Sequence, residues 1–133
     1  MYVLNEEQSA LIMKVAYLSL ISAAYALYQN HYDLFFVPAG VFVTSLLYWK
    51  KPKHDSWRRY IDMSYVALAL LYQLVIGSTF KYYNIYLMIT TISILCYLLS
   101  VYCKNRNMTW KSTYLHCLLH VSANVGNIIL YTT

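Results

Sequence analysis

The sequence predicts an all-α bundle of five transmembrane helices, and three observations carry that reading. Of its 133 residues, 60% are apolar and 11% are charged, whereas a soluble globule carries about 25% charged residues. The apolar residues fall in long runs rather than short periodic ones, the pattern of chains that cross a bilayer. The breaks between runs are short and polar, which makes successive helices antiparallel neighbours in one transmembrane domain spanning residues 1–133.

The first span reads from Ala10 to Tyr28, and Asn5 with Gln8 three residues later forms a capping box ahead of it. Glu6 and Glu7, with no Lys or Arg in the first nine residues, are the reverse of a signal-peptide n-region. The second span, Leu34 to Trp49, is the shortest; Pro38 suits its first turn, with Asp33 as the cap. The third runs from Ile61 to Ser78, the fourth from Tyr83 to Cys103 and the fifth from Ser112 to Tyr131. Each approaches the ~20 residues that cross ~30 Å of hydrocarbon. Cys96, Cys103 and Cys117 are odd in number and form no CxxC, so they read as free thiols within the spans.

Charge orients the bundle. Lys50, Lys51, Lys53, Arg58 and Arg59 lie between spans two and three, and Lys104, Arg106 and Lys111 between spans four and five. The opposite loops hold only Lys81. The positive-inside rule then puts the basic loops and the N-terminus in the cytoplasm and the C-terminus outside. The formal net charge of +5 belongs mostly to these loops; the partners expected for it are anionic lipid headgroups rather than nucleic acid. The tyrosines form two belts. Tyr25, Tyr28, Tyr82, Tyr83 and Tyr131 mark the outer one, and Tyr48, Trp49, Trp57, Tyr60, Tyr102, Trp110 and Tyr114 the inner one.

Chemistry concentrates in the fifth span. His116, His120, Asn124 and Asn127 are spaced 4, 4 and 3 residues apart. They form one polar stripe, which must face the bundle interior. Ionisable groups inside a membrane helix are by default functional candidates. His116, Asp62 and Ser45 each lie within five residues of a basic flanking residue, so with Lys14 they share one level under the cytoplasmic face. Asp62 and Gln73 are eleven residues apart, close to three turns, on one face of span three. Two histidines one turn apart, with a carboxylate from another helix, are a common way to hold Zn²⁺; a catalytic zinc uses three protein ligands and an open position. The residues alone leave structural readings open. The histidines fit hydrogen-bonded core residues, and Asp62 an ion pair with Lys14, Arg58 or Arg59. Ser45 fits a bond back to its own helix, Lys14 a snorkelling side chain, and His31 a solvated loop residue. Asn124 and Asn127 fit helix-joining contacts.

Ser45 late in span two, Asp62 at the start of span three and His116-x-x-x-His120 early in the last span resemble the CREST superfamily of membrane proteins. That resemblance implies a zinc site near the cytoplasmic face. His116 and His120 bind the metal, Asp62 is a third ligand or orients the metal-bound water as a general base, and Ser45 acts on the water or oxyanion. Active members cleave lipid amides or esters, so the expected substrate is a lipid. The family core has seven spans where this chain has five. Its third histidine is expected four residues after the serine, where Trp49 stands, and the nearest histidine is His54 in the basic loop. Two other classes fit the composition: a non-catalytic structural or assembly protein, and a small channel or proton path lined by the polar stripe.

Overall fold

The computed structural model describes residues 3–53 and 56–132, and every described element is a helix. Helix α1 (Glu6–Ala16) runs into α2 (Leu18–Tyr28) through a one-residue turn at Tyr17, followed by α3 (Phe36–Trp49). Helix α4 (Trp57–Ile76) continues as a single 3-10 turn, Gly77–Thr79; α5 (Tyr83–Asn105) and α6 (Thr109–Tyr131) complete the chain. These are five helical stretches. Three of them, Glu6–Tyr28, Trp57–Thr79 and Tyr83–Asn105, are long and apolar enough to cross a membrane. Helix α6 is as long as these, but its polar stripe lowers its hydropathy below theirs.

Local chemistry sets the helix ends. The Asn5 side chain accepts from the Gln8 N–H at 2.8 Å, and the Gln8 side chain accepts from the Asn5 N–H at 3.0 Å. This is the expected capping box, and it starts α1 four residues before Ala10. Helix α4 also begins early, at Trp57, because the Ser56 hydroxyl accepts from the Arg58 N–H at 3.1 Å. Arg58 and Arg59 therefore stand in the first turn of α4, not in a loop. Asp33 does not cap α3; its carboxylate accepts from the Tyr72 hydroxyl at 2.7 Å, and α3 starts at Phe36 with no side-chain cap. Asn30 and Asn107 close α2 and α5 in the left-handed region, at φ 64° and 61°, a conformation Asn tolerates better than most residues.

Helix α6 is the hub, packed against α5 along its length and against α1 and α2 on its other sides. Small residues let α5 approach: Gly126 sits where a Cβ would lie 3.2 Å from Ile89, and the Ser93 and Ser122 hydroxyls bond at 2.7 Å. Helix α4 is different. It packs on α3, with the Tyr65 hydroxyl bonded to the Phe36 carbonyl beside Gly40, and stands away from α5 and α6 over most of its length.

The apolar core is split in two. Leu4, Ile12, Tyr48 and Trp49 fill the end that carries the basic residues, and Ala26, Leu34, Tyr86, Leu130 and Tyr131 fill the opposite end. Between them lies a cavity.

Candidate functional site

The cavity has a volume of about 350 Å³, toward the small end of ligand pockets. Ser45, Asp62, His116, His120, Asn124 and Asn127 all line it. The polar stripe of α6 faces the interior as expected, and so does the Asp62–Gln73 face of α4. The remaining wall is mostly aliphatic. Met63 and Val66 of α4 and Ile94 of α5 line the cavity and are also 43%, 39% and 44% exposed. The cavity therefore opens sideways between α4 and α5, where those helices do not close on one another.

At the basic end, the His116 and His120 rings lie one turn apart with centroids 5.1 Å from each other. Trp49 stands edge-on to His116 at 5.0 Å. The Asn124 side-chain N–H donates to the His120 carbonyl at 2.7 Å. His120 is only 6% exposed, and its Nε2 has no hydrogen-bond partner among the described residues. An unsatisfied buried ring nitrogen on a cavity wall costs stability and is available to a ligand. The Ser45 hydroxyl points to Asp62 Oδ1 at 3.4 Å rather than back to its own helix; Thr44 makes that backward bond instead, to Val41 at 3.2 Å. Lys14 is exposed and lines no part of the cavity.

At the opposite end, four side chains from three helices close the cavity. The Gln73 amide donates to Tyr86 Oη at 2.8 Å and to Asn127 Oδ1 at 2.7 Å, while its carbonyl accepts from the Tyr131 hydroxyl at 2.5 Å. Tyr131 is fully buried, and Tyr48 and Trp49 at the other end are 6% and 5% exposed, so these three residues of the expected belts turn their rings into the protein. Asn124 joins α6 to α2, its Oδ1 accepting from the Ser22 hydroxyl at 2.6 Å. His31 is not simply solvated: its Nε2 lies 3.2 Å from the Tyr131 carbonyl, and its ring stacks on Phe80 at 5.1 Å. The three cysteines are free thiols.

Two sets of groups escaped the sequence reading: the Gln73–Tyr86–Tyr131 closure, and the part played by α5. Tyr86, Thr90, Ser93, Tyr97, Ser100 and Lys104 recur at spacings of 4, 3, 4, 3 and 4. That is a second polar stripe, and it faces the cavity system along its whole length.

Among the described residues, no group of three or more His, Cys, Asp or Glu side chains is placed to hold a metal ion. Trp49 takes the place where the third histidine of the resemblance is expected, and its indole packs on His116 instead of donating a ligand. His54, the other candidate, lies outside the described residues. His116, His120 and Asp62, the three ligands expected, line one cavity but are not grouped around one ion, and two histidines alone fall short of the three protein ligands of a catalytic zinc. The described residues alone do not fit that metal.

The chain matches no protein-family model, no curated protein and no solved structure.

Proposed function

We propose that this is a multi-pass membrane protein that binds a single-chain lipid within the bilayer, in the cavity between α4, α5 and α6. The observation that carries the reading is the sideways opening between α4 and α5, lined by exposed aliphatic side chains and leading to buried polar ones. An acyl chain slides through such an opening without crossing water. At the basic end, Asp62, Ser45 and the unpartnered His120 Nε2 supply hydrogen-bonding groups for the polar part of the ligand. All five helical stretches cross the membrane in this reading. The basic end and the N-terminus face the cytoplasm, as the distribution of Lys and Arg favours, and the C-terminus faces outward. Anionic headgroups surround the basic loops.

Photolabelling tests the reading. A single-chain lipid carrying a diazirine in its tail should mark Leu119 and Ala123, which line the cavity on α6 across from the opening. Labelling confined to Leu68 and Leu98, which are 67% and 56% exposed, would mean that the lipid only coats the outside.

A second reading follows from the resemblance to the CREST superfamily: metal-dependent cleavage of a lipid amide or ester. It is favoured by His116, His120, Asp62 and Ser45 sharing one cavity. Metal analysis of the purified full chain separates the two. With only two histidine donors, zinc is expected well below one ion per chain, and unchanged in the His116→Ala/His120→Ala variant. Near-stoichiometric zinc that the double variant loses would favour the hydrolase.

A further inference from the structure

Three helices set the length of the large cavity. At its basic end Asp62 of α4, Tyr97 of α5 and His116 of α6 stand at one level, since all three line both this cavity and a smaller space of about 60 Å³ beside it. At its far end Gln73 of α4, Tyr86 of α5 and Asn127 of α6 stand at one level, since the Gln73 amide donates to the other two at 2.8 and 2.7 Å. The two levels are eleven residues apart on every one of these helices: 62 to 73, 86 to 97 and 116 to 127. At 1.5 Å per residue they lie about 16 Å from one another.

The ends differ in access. Toward the basic end the lining residues Met63, Val66 and Ile94 are exposed, and toward the far end Ala69, Gln73 and Tyr86 are buried. The side opening therefore belongs to the basic half, and the far half is a blind slot. The floor of that slot is polar yet needs no ligand. Gln73 already uses both amide N–H groups and its carbonyl, the carbonyl accepting from the buried Tyr131 hydroxyl. Such a floor does not yield to the end of a tail, because moving it breaks bonds that no water replaces in a bilayer core.

The geometry points to a length limit on the lipid: the slot takes a single tail of about 13 carbons between the level of Asp62 and the Gln73 floor, since an all-trans chain of ~1.5 Å bonds advances about 1.25 Å per carbon. This rests on the lipid-binding reading above and adds the class of ligand, a medium-length single chain. The volume agrees, since about 350 Å³ holds one such chain and not two. An octadecanoyl tail overruns the floor. It must buckle or lift its head away from Ser45, Asp62 and His120, and overpacking of this kind costs affinity. Gln73, Tyr86 and Asn127 thus determine specificity from the end of the cavity that the head never reaches.

The probes are the glycerol monoesters of decanoic, dodecanoic, tetradecanoic, hexadecanoic and octadecanoic acids. Each competes with the diazirine lipid for Ala123 of the full chain, at equal mole fraction in an uncharged detergent. Displacement is expected to be tightest for the dodecanoyl or tetradecanoyl ester and about tenfold weaker for the octadecanoyl one. Thr90 lines the cavity one turn from Tyr86, about 6 Å above the floor, so Thr90→Leu should shift the optimum down to the decanoyl ester. Asn127→Ala takes a side chain out of the floor and should shift the optimum up, toward the hexadecanoyl ester. Tight binding of the newly preferred ester shows that each variant is folded. Displacement by the parent that holds level or rises through the octadecanoyl ester overturns the length limit while leaving the lipid cavity standing, and so does an optimum that neither variant moves. Displacement by none of the esters in the parent overturns the lipid reading and the limit with it.

Discussion

Replacing Ala123 with phenylalanine is expected to weaken capture of a single-chain lipid roughly 10- to 100-fold, the equivalent of about 1–3 kcal/mol of steric conflict, while the protein stays folded. Ala123 lines the cavity from the hub helix, beside Asn124 and one turn beyond Leu119. Its methyl group is small where a tail needs room, and a phenyl ring there takes up the path. Burial of apolar surface contributes little to this capture. Lipid tails in a bilayer are already out of water, so packing and polar contacts decide what a membrane cavity holds. Removing space therefore removes affinity directly. The matched control is Val125→Phe, two residues along on an outward-facing position that is 45% exposed; it should leave capture unchanged. The measurement is photolabel yield at fixed lipid concentration, with a symmetric size-exclusion peak as the test of folding. Equal yields from Ala123→Phe and the parent would sink the cavity as the binding site.

Much of this arrangement is legible in the sequence, because long apolar runs and polar breaks are strong local signals. Long apolar runs separated by polar breaks gave the five helical stretches, and the 4, 4 and 3 spacing of His116, His120, Asn124 and Asn127 gave the inward face of α6. What the runs could not give is where a charge stops a helix. Arg58 and Arg59 look like loop residues, yet the Ser56 cap starts α4 ahead of them, and long basic side chains reach the interface from a helical backbone. The partnership of α4 was hidden for a different reason. Most of its large apolar residues point outward, among them Leu68, Leu71 and Val75 at 67%, 59% and 62% exposure, so its apolar periodicity marks the outer side and does not say that it leans on α3 and leaves α5. The side opening is a tertiary fact. Tyr131 was misleading because a terminal tyrosine in a span fits an interfacial belt by composition, whereas the Gln73 carbonyl, 58 residues away in sequence, draws it inside.

The candidate site divides along the same line. Spacing placed Ser45, Asp62 and His116 at one depth with His120 a turn deeper, and all four line one cavity. Depth along an axis does not fix distance across a bundle, and a wide cavity lets groups share a wall without sharing an ion. The indole of Trp49 adds to this by covering the side of His116 where another donor would stand.

Gln73→Leu is expected to destabilise the protein by about 2–4 kcal/mol, summed over the buried partners left without a bond, and so to lower the thermal midpoint in detergent by several degrees. Gln73 is 2% exposed and joins three side chains at once, Tyr86 on α5 and Asn127 and Tyr131 on α6. It is the main polar tie between α4 and the hub helix, since α4 otherwise packs on α3. Leucine matches the shape but satisfies none of the partners. In the bilayer proposed for this protein there is no bulk water to replace it, so Asn127 Oδ1 and the two tyrosine hydroxyls must find other partners or stay unpaired. Individual hydrogen bonds between membrane helices average only ~0.6 kcal/mol because partners are often found elsewhere. The expectation here is larger because three bonds converge on one residue and Tyr131 is fully buried. A double-mutant cycle isolates that cause. Once Gln73 is gone, Tyr131→Phe should cost little, since the hydroxyl it removes has already lost its acceptor; the two substitutions together should fall short of the sum of the singles by about 1 kcal/mol. Strict additivity would show that the bond between Gln73 and Tyr131 does not hold α4 to α6.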